Sequence, residues 1–267
     1  MESRREAEAL NVTAQTQTTM SDSRCLLPEI HDHIVDFLHD DTITLNRCCL
    51  VSKSWVPRTR KHLFAHITFR PGDHLKWLKT FPDPTNSPAR HTRTLNNEET
   101  LEDAGENSWI QGFSRVERLS VGCPSTRNIS TSSLIPYRKL APSLKSLCVT
   151  SEILSHSHVF DLVRFLPLLQ DLTLRGLGSD SKVHKSSTDV PPRTSPAFTG
   201  TLELLLVVGI PGTIRRLLDL PNNLHFRTLR LSLFHAEDLP SIAKLVTACS
   251  NTLEHLDLRC LTDGTLN

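Results

Sequence analysis

From Val116 onward the chain repeats one short pattern, apolar-x-x-apolar-x-apolar, at Val116 to Val121, Leu144 to Val149, Leu169 to Leu174, Leu202 to Val207, Phe226 to Leu231 and Leu253 to Leu258. The starts are 28, 25, 33, 24 and 27 residues apart, a period in the twenties that suits one coil of a solenoid. In a strand, positions two apart share a face, so the last two apolar residues of each hexad point inward together. A single coil leaves that face wet, and stacking on its neighbours covers it. Helical spacing falls between hexads at Val159-Phe160-Leu162-Val163-Phe165-Leu166, Ile214-Leu217-Leu218 and Ile242-Leu245-Val246, which predicts alternating strands and helices. Two weaker hexads, Phe64-x-x-Ile67-x-Phe69 and the polar Thr92-x-x-Leu95-x-Asn97, extend the array backward. The interval of 33 contains residues 178–200, rich in Ser, Thr and Pro, which read as a flexible insertion.

The first part of the chain has another rhythm. Residues 1–24 carry too few apolar side chains to offset the entropy of ordering them and read as a disordered tail. Leu26, Leu27, Ile30, Ile34, Val35, Phe37 and Leu38 then recur at helical spacing, with Pro28 at a helix start where its missing N–H costs nothing. A second helix takes Leu45, Cys48, Cys49, Val51 and Trp55 and is limited by Pro57, and a third covers Arg58 to Phe64. Glu29, Asp32, Asp36, Asp40 and Asp41 precede Arg47, Lys53, Arg58, Arg60 and Lys61, a split that predicts neutralisation inside this small module.

Composition narrows the classes. Of 267 residues, 30 are Lys or Arg and 29 are Asp or Glu, so no global field favours nucleic acid or an anionic membrane. No stretch approaches the roughly 20 apolar residues of a membrane helix. The first residues lack the apolar core of a signal peptide, so cytoplasm or nucleus is expected. Seven cysteines, at 25, 48, 49, 123, 148, 249 and 260, form no Cys-x-x-Cys pair and read as reduced, mostly buried thiols.

The ordered residues Leu27-Pro28-Glu29-Ile30, then Ile34, Val35 and Leu38, then Val51-Ser52-Lys53-Ser54-Trp55, then Leu63-Phe64 resemble an F-box domain. With the repeats, the chain looks like the F-box and leucine-rich-repeat architecture, in a variant common among mushroom-forming fungi. The fold expected from the two readings is α/β (α+β): a small helical F-box at 25–70, then a leucine-rich-repeat-like strand and helix solenoid at 71–267. The resemblance implies a substrate receptor of a Skp, cullin and F-box ubiquitin ligase. Its adaptor-facing residues would be Leu27, Pro28, Ile30, Ile34, Leu38, Val51, Trp55 and Phe64. The partners implied are the Skp adaptor, through it the cullin and RING subunits, and a protein substrate, with no cofactor and no catalytic residue. The alternative is a leucine-rich-repeat scaffold outside the ubiquitin system.

Candidate chemical motifs are incomplete in the sequence. His62 and His66 have helical zinc spacing without the glutamate or third ligand of a zinc protease, and His31-x-His33 and His156-x-His158 diverge. Gly176-x-Gly178 has Ser181 where a dinucleotide loop needs its third glycine. An enzyme would have to draw its nucleophile from Cys123, Cys148 or Cys260. Ser87-Pro88 and Ser195-Pro196 are loop dipeptides of the kind proline-directed kinases use.

Overall fold

A computed structural model describes residues 27–98, 107–122, 131–150, 154, 156–177, 196–205, 210–221 and 224–261. The tail expected at 1–24 and most of the insertion, residues 178–195, lie outside them. The chain divides into two compact units, Met1–Leu63 and Phe64–Asn267. The division therefore falls before the Phe64 hexad and not between residues 70 and 71, because His66–Phe69 is the first strand of the second unit.

In the first unit, α1 (Pro28–Phe37) starts on Pro28, and α2 (Thr42–Val51) is capped by Asp41, whose carboxylate accepts the Thr44 N–H at 2.9 Å. The helix α3 (Val56–Leu63) begins earlier than the proline suggested. Pro57 stands in its first turn, where no donor is needed, and so does not terminate α2. Trp55 consequently belongs to the turn between α2 and α3 and not to the second helix.

The second unit is mixed α/β, built on one eight-stranded parallel sheet whose strands lie in chain order. These are β1 (His66–Phe69), β2 (Thr94–Asn97), β3 (Arg118–Gly122), β4 (Ser146–Thr150), β5 (Asp171–Arg175), β6 (Thr201–Leu205), β7 (Thr228–Phe234) and β8 (His255–Cys260). Even the polar Thr92 hexad supplies a strand. Register stacks Ile67, Leu95, Leu119, Leu147, Leu172, Leu202, Leu229 and Leu256 in one inward ladder. Phe69, Asn97, Val121, Val149, Leu174, Leu204, Leu231 and Leu258 form the second. Asn97 occupies an apolar slot because its Nδ2 donates to the buried Tyr137 hydroxyl at 2.6 Å.

Between strands the chain returns through α4 (Asp73–Thr80), α5 (His156–Val163), α6 (Ile210–Leu218) and α7 (Leu239–Cys249), and through 3-10 segments in the second and third coils, Asn107–Gly112 and Thr131–Leu140. Phe64, Phe69, Trp77, Phe81, Trp109 and Phe113 pack edge-on or tilted around the first coils. Ser143 and Thr252 stand just before the first hexad residue of their coils. Their hydroxyls donate to Val116 and Phe226 of the preceding coil at 2.9 and 3.2 Å, a bridge between coils that needs no asparagine. No helix of the described residues is long and apolar enough to cross a membrane.

Two local irregularities correct the hexad reading. In β6 the inward residues are Leu202 and Leu204, so this coil's frame starts at residue 199 and not at Leu202. The apolar slot ahead of the strand is filled by Phe198, which reaches it one residue early with φ 42 and packs 4.7 Å from Phe226. Gly200 follows, where any Cβ would collide with the Asp171 carboxylate that accepts the Thr201 N–H at 2.7 Å. In β7, Leu233 takes φ 64 at a bulge, which turns Phe234 inward where strict alternation would have buried Leu233.

Burying each inward leucine contributes about 1.5–3 kcal/mol. Leu147→Ala, in a closed part of the ladder, is expected to lower unfolding free energy by about 3 kcal/mol. Leu256→Ala, in the same ladder but half-exposed, should cost about half that or less. Denaturant midpoints and m-values of the two variants check the contrast.

Candidate functional site

The helical unit buries little: Val35, Leu45 and Cys48 are its core hydrophobics, with the side chain of Thr59 beside them. Its cohesion owes much to one carboxylate. Asp36, on α1, accepts two hydrogen bonds from the Arg58 guanidinium of α3, and Oδ1 lies 2.7 Å from His62 Nε2. Asp32 stands 4.0 Å from the same arginine. The Arg58 hydrogen bonds hold the Asp36 carboxyl well below the usual carboxylate range, with His62 adding to the effect and partial burial opposing it. The expected neutralisation within the module is thus concentrated on a single clamp between α1 and α3.

The other side of these helices is apolar and uncovered. Leu27, Ile30, Ile34 and Phe37 follow one another at steps of three and four, a single stripe along α1, and all are exposed, Leu27 by 66% and Phe37 by 86%. On α2, Ile43 and Leu50 share a face opposite the buried Leu45 and Cys48, with Leu50 87% exposed, and Val51 is exposed about 100° further round the helix. Seven large exposed hydrophobics in so short a segment are more than a helical unit serving only its own core would leave uncovered.

Of the residues expected to face an adaptor, Leu27, Ile30 and Ile34 share the α1 stripe, and Pro28 is exposed at its start. Val51 is exposed on α2, Leu38 is half-buried at the end of α1, and Trp55 is half-buried with its ring 5.4 Å from that of His31. Phe64 is different: it belongs to the second unit, where it meets Trp77 and Phe81 edge-on at 6.3 and 6.5 Å. Phe37, Ile43 and Leu50 were missed as surface residues. For Ile43 and Leu50 the signal was available in α2, which is apolar on both sides where a helix serving only a core has one stripe.

The remaining candidates find ordinary surroundings. His62 ends a helix and His66 begins a strand, so they share no helical face. Among the described residues no group of three His, Cys, Asp or Glu side chains is placed to hold a metal ion. His156 is buried with Nδ1 in a short hydrogen bond to Thr213. Cys48 is buried and Cys49 half-buried. Cys148 lies on the outward sheet face 4.0 Å from Thr150 Oγ1, and the Cys260 thiol donates to Phe234 O at 3.4 Å. Burial pushes the Cys249 thiol up. Cys25, Cys123, Gly178 and Ser195 lie outside the described residues. Ser87 is buried and caps a 3-10 turn by accepting the Ala89 N–H at 3.2 Å, which shields it from a kinase. Gly176 makes a left-handed turn, its N–H donating to Leu205 O at 2.9 Å.

No protein-family model, no curated protein and no solved structure matches this chain.

Asp36→Asn keeps the shape and removes the charge that Arg58 and His62 share. Because the clamp is about one-third exposed, a loss of about 1 kcal/mol is expected in the helical unit. The sign with pH follows from the lowered carboxyl. Stabilisation is fully present above the unfolded aspartate value near 4 and is lost as pH falls below it toward the folded value. Protection factors of α1 and α3 amides in the full chain, taken relative to intrinsic exchange at each pH, should fall below about pH 4 in the wild type. In Asp36→Asn the lower protection should be present already at neutral pH, with a weaker further dependence on acid.

Proposed function

We propose that this chain is the substrate receptor of a Skp, cullin and F-box ubiquitin ligase, with the helical unit as an F-box that docks the Skp adaptor and the leucine-rich coils as the part that holds a protein substrate. One observation carries the reading: the exposed apolar faces of α1 and α2 coincide with most of the positions at which the F-box resemblance puts adaptor contacts. Leu27, Ile30, Ile34 and Val51 were named from that resemblance alone, and each is exposed on a unit whose core is elsewhere. A helical apolar stripe of this kind binds by laying its anchors into a groove, each central anchor contributing about 2 kcal/mol or more. Phe37, Ile43 and Leu50 join the docking set on this view, while Phe64 supports the second unit and leaves it.

The role is non-catalytic. Holding a substrate beside a charged conjugating enzyme raises its effective concentration, and the receptor contributes no acid, base or nucleophile. The polar outward face of the sheet, in which Glu203, Arg230 and Asp257 follow the smaller Thr68, Asn96, Ser120, Cys148 and Thr173, is suited to specific recognition of a folded partner.

Co-purification of the tagged chain with a Skp adaptor tests the proposal. Wild type should capture the adaptor stoichiometrically. Leu27→Ala/Pro28→Ala and Phe37→Ala/Leu50→Ala should each weaken capture by about 30-fold or more. Because these residues are exposed, melting temperatures should barely change. Trp55→Ala should weaken capture and stability together, since its ring is half-buried. A folded wild type that captures no adaptor would exclude the receptor role and leave a leucine-rich scaffold outside the ubiquitin system.

A further inference from the structure

The eighth strand breaks the rule its predecessors keep. At the two inward positions of β7, Leu229 and Leu231 are fully buried, whereas the corresponding Leu256 and Leu258 of β8 are 46% and 41% exposed. Hydrogen bonding on β8 is one-sided as well. The His255 N–H donates to Arg227 O at 3.0 Å and the Leu261 N–H to Phe234 O at 2.9 Å. Parallel pairing uses alternate residues, so Asp257 and Arg259 bond toward β7 while the N–H and C=O groups of Leu256 and Leu258 point away from the sheet. Among the described residues no strand covers that edge, and an uncovered edge with apolar side chains beneath it is a template for another strand.

The outward face of β8 says which strand. Asp257 and Arg259 project there two residues apart, with Arg259 Nη2 3.1 Å from Asp257 Oδ2. Two copies of β8 related by a two-fold axis pair antiparallel, and side chains keep to their faces only when the axis passes through a residue. An axis through Asp257 sets this aspartate against itself, which is repulsive. An axis through Leu258 instead sets Leu258 against Leu258 as a pair that exchanges both backbone hydrogen bonds, using the groups that point outward. The same register sets Asp257 of each copy against Arg259 of the other, twice, at the closer non-hydrogen-bonded position. The sequence Asp257-Leu258-Arg259 is complementary to itself under this rotation, and that selects a second copy over a foreign strand.

We infer that β8 of one copy pairs antiparallel with β8 of a second, centred on Leu258 and locked by reciprocal Asp257 and Arg259 contacts. This does not depend on the function proposed above. One strand edge buries less than the roughly 1,200 Å² of a stable interface, so the association is weak and concentration-dependent.

Sedimentation equilibrium of the full chain up to about 100 µM reads it. The wild-type mass should rise from 30.0 kDa toward twice that value with concentration. Arg259→Asp, which leaves the Asp257 and Arg230 neighbours of β8 and β7 in place, should stay monomeric, as should Asp257→Arg. Mixed in equal amounts, these two variants should dimerise again, because each cross-pair then joins an arginine to an aspartate. Circular dichroism melts of both variants guard against loss of folding. A wild type that remains at 30.0 kDa throughout overturns the inference, and so does a mixture that stays monomeric while both variants are folded. Variants that dimerise as well as wild type would move the contact to another surface and overturn it equally.

Discussion

One backbone contact is repeated through the whole second unit, and the rest of its architecture hangs on it. The N–H of Arg93 donates to Ala65 O, Glu117 to Arg93, Lys145 to Glu117, Gln170 to Lys145, Gly200 to Gln170, Arg227 to Gly200 and Glu254 to Arg227, at 2.7 to 3.2 Å. Each residue stands just ahead of its strand, so the strand begins at the same height in every coil whatever came before it. Coil lengths differ, but the differences are absorbed on the return path, by helices in the first and later coils and by 3-10 segments in the second and third. The two inward ladders then meet in register, which is what buries nearly every leucine in them. An insertion in the fifth coil is tolerated for the same reason: Phe198 and Gly200 re-enter the ladder after it, Phe198 at the cost of a left-handed backbone and Gly200 by giving Asp171 room.

The helical unit solves a different problem with a different economy. A segment of this size cannot enclose much of a core, and it commits only Val35, Leu45 and Cys48 to one. The Asp36 clamp joins α1 to α3 without using apolar surface. It thereby leaves the stripes on α1 and α2 uncommitted. Among the described residues of the sheet unit, by contrast, the inward apolar residues that are exposed are Leu256 and Leu258 of β8. Elsewhere in that unit the exposed apolar side chains, Leu75, Ile135, Leu168, Leu218 and Leu239, stand on the return segments and outside the ladders.

Sequence periodicity was a good guide where burial follows a strict repeat. Seven of the eight hexads are in the frame the structure uses, including the polar one at Thr92, because a buried Asn97 met by the Tyr137 hydroxyl fills an apolar slot without penalty. The frame at Leu202 was misread by three residues since Leu204, Leu205, Leu206 and Val207 satisfy either register, and what decides between them is the contact of Gly200 with Gln170, which no composition rule records. The bulge at Leu233 was invisible for a similar reason, as Leu233 and Phe234 are both apolar. In the helical unit Pro57 was read as a stop when it is a start, which misplaced Trp55. Phe37, Ile43 and Leu50 were passed over because apolar residues in a short helix read as core until the scarcity of partners is known.

The two units also differ in what substitution does to them. Along the outward sheet face the side chains run through Thr68, Asn96, Ser120, Cys148, Thr173, Glu203, Arg230 and Asp257, and not one of them lies in the inward ladders. Register and core are held by the backbone contacts and the leucines, so outward residues can change without disturbing either. A surface built this way varies its partner cheaply. The α1 and α2 stripes have no such freedom, because the turn of helix that exposes Ile34 also buries Val35 and aims Asp36 at Arg58. On the receptor reading proposed above, the constrained apolar stripes would serve one constant adaptor and the freely variable polar face one particular substrate.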